Sequence, residues 1–94
     1  MRVAAVEALA GPVSLGFAVV RGEVVDVDAG GPAHFGGVRP GWKLLELDGQ
    51  VVSDQAQVDA IAAAHRPGRE VVAVFLNARR EEQAVPIEVR RVRG

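Results

Sequence analysis

The chain has 94 residues, of which 49% are hydrophobic and 24% charged, with a formal net charge of -1; a polypeptide of this size buries roughly two-thirds of its extended surface, enough for one domain and one modest core. The near-neutral balance gives no electrostatic reason to bind nucleic acid or an acidic substrate, and without cysteine there is no disulfide, thiolate metal site or redox couple. Val3-Ala4-Ala5-Val6 lacks the apolar length of a signal peptide or membrane span, so a soluble monomeric domain over residues 1–94 is expected, with no cofactor, no membrane insertion and the cytoplasm as default compartment.

Arg2 to Leu9 reads as a strand ended by Ala10-Gly11-Pro12, because proline cannot donate to a ladder and glycine loosens the backbone. Ser14-Leu15-Gly16-Phe17 comes next. A glycine between two large apolar residues lets the backbone bend so that successive N–H groups share one concavity, which favours an anion without any charged side chain. Leu15 and Phe17 would flank an apolar pocket beside it, and the C-terminus of a polypeptide offers both a carboxylate and a last side chain to fill such a site. The same four residues also suit an ordinary strand start with a packing glycine. Phe17-Ala18-Val19-Val20 and Glu23 to Val27 are β-prone runs separated by Arg21-Gly22, the spacing of a two-residue hairpin, although arginine then occupies a position that wants positive φ. Asp28 to Gly31 is turn chemistry, Pro32 suits the first position of a single helical turn through Phe35, and Gly36-Gly37 stops it.

Val38 to Gly41 forms another turn, and Trp42 to Leu47 alternates imperfectly as a half-buried strand ending in the tight-turn pair Asp48-Gly49. Val51-Val52 is a stub of strand. From Ser53 the pattern turns helical: Ser53 or Asp54 can cap, Gln57 lies three after Asp54 as a capping box requires, and Pro67-Gly68 ends the run. Glu70 to Leu76 is a strand, Asn77 to Glu82 a polar turn, and Ala84 to Val92 a last strand with Val85, Ile87 and Val89 on one face.

In this order the chain resembles a PDZ domain over almost its whole length. Ser14-Leu15-Gly16-Phe17 stands where that family has its Gly-Leu-Gly-Phe loop, Val27 to Ala33 leads into the short helix, and Gly41-Trp42-Lys43-Leu44-Leu45-Glu46-Leu47-Asp48-Gly49 is close to its Gly-Asp-x-Ile-Leu-x-Val-Asn-Gly run. The element order matches the animal-type arrangement, and the tail from Ser53 onward is also similar to PDZ modules attached to bacterial-type serine proteases. The resemblance implies an α+β fold, a partly open five- to six-stranded antiparallel β-barrel or sandwich with one long and one short helix. It further implies a non-enzymatic module that captures the C-terminal tail of a partner by strand addition. The loop Ser14, Leu15, Gly16 and Phe17 would take the carboxylate, Phe17, Ala18, Val19 and Val20 would pair with the tail, and an apolar last residue would fill the pocket. A substrate-sensing domain of a protease, binding internal or unfolded segments, and a structural self-association module remain as other readings.

In the family the first helix position reads the third residue from the peptide end, while the fifth and eighth close the apolar pocket. A start at Asp54 places Val58 and Ile61 there, a start at Gln55 places Asp59 and Ala62, and a start at Gln57 places Ile61 and Ala64. An acid facing an apolar pocket and a bound carboxylate is doubly unfavourable, which argues against the Gln55 start, and Ser53 is a good cap for a start at Asp54, whereas a start at Gln57 would need Ala56 to cap and would leave Val58 pointing outward. Asp54 would then ask for a donor on that ligand residue. The sequence departs from the family in Ser14 for the first loop glycine, in Trp42 where an acid is usual, and in the lack of a basic residue between Ala8 and Val13. His34 and His65 read as surface or half-buried residues rather than ligands, Ser14 and Ser53 have no spacing that suggests a nucleophile, and Trp42 reads as a core or rim anchor.

Overall fold

The computed structural model describes residues 13–92, so the strand expected from Arg2 to Leu9 lies outside the described residues. In sequence order these residues form β1 (Val13–Ser14), β2 (Phe17–Val20), β3 (Glu23–Val27), α1 (Pro32–Phe35), β4 (Lys43–Leu47), β5 (Gln50–Val51), α2 (Gln55–Ala63), β6 (Glu70–Leu76), β7 (Glu82–Glu88) and β8 (Arg90–Arg91). The main sheet has the order β2-β3-β4-β6-β7 with β5 added on β4, and β1 pairs separately with β8. Every pairing is antiparallel. The sheet stays open and carries one long and one short helix, which is the α+β, PDZ-like architecture expected.

Hairpin turns set the sheet order. Arg21 and Gly22 both have positive φ, at 51° and 82°, as do Asp48 and Gly49 at 54° and 79°, and two successive left-handed residues give the turn whose twist suits a two-residue hairpin. Arg21 accepts this conformation despite its side chain. The imperfect alternation of β4 also has a local cause. Leu44 and Leu47 are both buried although three residues apart, because the register with β6 shifts between Leu44 and Glu46, and a bulge lets one strand turn two non-alternating residues to the same face.

The core lies between the concave sheet face and α2. Phe17, Val19, Val24, Leu44, Leu47, Val71, Ala73, Phe75, Val85 and Ile87 enter it from the strands, and Val58, Ile61 and Ala62 enter it from α2. Phe75 is its centre, meeting Phe17 edge-on at 5.6 Å and Trp42 at 5.7 Å between ring centroids. Trp42 is 8% exposed, a core anchor in the place where the resembling family has an acid. Val89, with Val85 and Ile87, forms the buried face expected of the last strand, although pairing is interrupted between β7 and β8.

Candidate functional site

Among the described residues β2 pairs only with β3, so its other edge has no strand partner and faces α2. The segment that opens β2 turns at Gly16, whose φ is 83°. Its carbonyls are tied inward: Asp28 N donates to Gly16 O at 2.9 Å and Ala33 N donates to Leu15 O at 3.2 Å. These bonds fix the loop against the start of α1, where Pro32 fits closely over Gly16. Gly16 N donates to Ser14 Oγ at 2.9 Å, so the serine that replaces the first loop glycine supplies its own acceptor inside the bend. Leu15 and Phe17 are 2% and 6% exposed and belong to the core cluster, forming the floor beside the loop rather than freely exposed walls.

The opposite wall is α2, whose register is set by its cap. Asp54 is the N-cap: its carboxylate accepts from Gln57 N at 2.9 Å, and Gln57 Oε1 accepts from Asp54 N at 3.3 Å and from Ser53 N at 2.9 Å. Asp54 and Gln57 are thus committed to the helix start. Val58 and Ile61 are buried in the core beneath the groove, and Ala64 is the exposed C-cap. The helix residue that reaches β2 is Gln55, which accepts from Val19 N through Oε1 at 2.8 Å while its Nε2 donates to Asp59 Oδ1 at 2.8 Å. Gln55, which leads one of the three registers open to the sequence, is the helix residue hydrogen-bonded to the strand. In that register Asp59 is exposed and hydrogen-bonded to Gln55. Two signals pointed to it: a capping box with Asp54 as cap makes Gln55 the first helical residue, and Gln55 and Asp59 are spaced four apart on one helix face.

Basic residues reach the loop by a route the local sequence hides. The β1–β8 register sets Ser14 opposite Arg90 and Val13 opposite Arg91, and both arginines line a cavity of about 440 Å³ with Ser14, Gly16, Gly31 and Pro32. Arg90 is paired with Glu88 at 2.9 Å and lies 5.4 Å over the Phe35 ring. The histidines have local partners: His34 Nδ1 accepts from Gly30 N at 3.0 Å, and His65 lies between Ile61 O, 2.8 Å from Nδ1, and Asp48 Oδ2, 3.3 Å from Nε2. Among the described residues no group of three or more His, Cys, Asp or Glu residues could hold a metal ion, and no helix is long and apolar enough to cross a membrane.

No protein-family model matches the sequence, and no curated protein matches it. Solved structures do match. An HtrA-type protease, AlgW, with decapeptide is 26% identical with a TM-score of 0.77 over 88% of this chain and 30% of that one. A variant of the same protease, also with decapeptide, is 26% identical with a TM-score of 0.75 over 87% and 30%. The serine endoprotease from Yersinia pestis is 22% identical with a TM-score of 0.72 over 83% and 29%. The chain therefore spans about 30% of the length of these proteases, and the part they share with it is a PDZ-like module.

Proposed function

We propose that this PDZ-like domain is a single-domain, non-enzymatic peptide-binding module which captures the C-terminal tail of a partner as an added antiparallel strand between β2 and α2. One observation carries the reading: the backbone edge of β2, opened by the left-handed Gly16 turn, faces a helix across a groove and has its Val19 N–H directed into that groove. An added strand satisfies such an edge with backbone hydrogen bonds, and at the bend a terminal carboxylate would take Gly16 N–H in place of Ser14 Oγ. The apolar floor of Leu15 and Phe17, closed from α2 by Ala62, favours Val, Leu or Ile as the last ligand residue. The likeness to AlgW, whose structure is with decapeptide, supports peptide as the ligand class.

Because the chain matches only a part of the HtrA-type proteases, a second reading is a substrate-sensing domain of a longer protease that takes internal or unfolded segments. Calorimetric titration with one decapeptide ending in valine, as the free acid and as the C-terminal amide, separates the two. Tail capture predicts at least a tenfold loss of affinity on amidation, in keeping with charge-assisted bonds to a carboxylate. Equal affinity for acid and amide supports internal-segment binding instead.

A further inference from the structure

The groove donors resolved by their bonds are already met by the protein's own polar residues. Ser14 Oγ accepts from Gly16 N at the loop, and Gln55 Oε1 accepts from Val19 N on β2. The Gln55 carboxamide is held at both ends, since its Nε2 donates to Asp59 Oδ1 at 2.8 Å, one helical turn further on. An added strand brings a backbone carbonyl to the same Val19 N–H, so the carboxamide and the ligand compete for one donor. With a carboxylate at the Gly16 bend, the two-residue alternation of outward backbone groups places the third residue from the ligand's C-terminus opposite Val19. Directly opposed residues point to the same face of a sheet. Val19 points into the core on the side where α2 packs, so that ligand residue points toward α2. Once the carboxamide leaves, Asp59 has lost its donor, and it has no cationic partner among the described residues.

We propose that Gln55, held by Asp59, is an in-built plug of the β2–α2 groove, and that the tail which displaces it best carries lysine or arginine third from its C-terminus. The inference rests on the reading of the groove as a tail-binding site. The carbonyl of that ligand residue replaces Gln55 Oε1 at Val19 N–H, and its cation replaces Gln55 Nε2 at Asp59. One residue thus takes over both bonds of the plug. A cation on a carboxylate makes a stronger bond than the neutral amide it displaces, whereas alanine at that position leaves Asp59 without a partner and glutamate repels it. Tails without a cation are held to a higher threshold.

The test uses the whole 94-residue protein and three acetylated decapeptide acids, alanine-rich and ending in valine, with Lys, Ala or Glu third from the end. The wild type binds them in the order Lys, Ala, Glu. Gln55→Ala tightens the Ala peptide about fivefold, the worth of one competing neutral hydrogen bond, and speeds exchange of the Val19 amide in the ligand-free protein. Asp59→Asn removes the preference for Lys, and Asp59→Lys reverses it in favour of Glu. An unchanged or weakened Ala peptide with unchanged Val19 exchange in Gln55→Ala overturns the plug, and a lysine preference that survives Asp59→Asn overturns the assignment of the ligand. Binding of free acids that ignores both positions leaves tail capture standing and removes only this inference; no binding by any variant removes both.

Discussion

Gly16 has no room for a side chain. Its φ of 83° is left-handed, and an added Cβ would lie 2.9 Å from Pro32 Cδ, inside any tolerable contact with a rigid ring. Gly16→Ala therefore costs about 1–3 kcal/mol through strain alone, read as a lowered midpoint in urea, and distorts the loop that would hold the carboxylate. Phe75 has a different role at the same scale. It is fully buried between the rings of Phe17 and Trp42, and Phe75→Ala should cost about 3–5 kcal/mol by cavity formation. Stability measured by denaturant checks both, and a loss under about 1 kcal/mol at Phe75 would contradict the packing described.

At the scale of elements, α2 is anchored by a reciprocal cap rather than by its propensity alone. Asp54→Ala should destabilise the domain by about 1 kcal/mol, and Gln57→Ala on that background should cost about 0.5–1 kcal/mol more, close to additively, because the Gln57 carboxamide accepts from backbone N–H groups that Asp54→Ala leaves in place. A double-mutant cycle in urea checks that additivity. The elements themselves were largely legible: the Arg21-Gly22 and Asp48-Gly49 turns, Pro32 at the head of α1, the capping box, and the buried face of Val85, Ile87 and Val89 all follow from local chemistry. Three features were less so. The bulge in β4 was visible only as a broken alternation, since Leu44 and Leu47 cannot share a face in a regular strand. The groove face of α2 was open to three registers because capping and groove-lining compete for the same short stretch, and the Gln55–Asp59 bond is a side-chain contact that the four-residue spacing permits but does not require. The proximity of Arg90 and Arg91 to the loop is a long-range pairing that no local pattern encodes.

For the molecule as a whole, the two ends of the described segment meet beside the loop, since β1 pairs with β8. Removing residues 90–94 deletes β8 and the partner of Val13–Ser14; it should cost about 1–2 kcal/mol of stability for the lost ladder bonds and weaken tail binding through a loosened loop, both measurable by denaturation and calorimetry. Loop, edge strand and helix then lie together on an open sheet, where a free C-terminus would be captured. The most direct measurement is a solution-NMR titration with a valine-ended decapeptide acid and its amide, followed at the backbone amides. Tail capture predicts shifts confined to Leu15–Val20 and α2, present with the acid and weak with the amide. Shifts of equal size for both forms, or shifts centred away from β2 and α2, would contradict it.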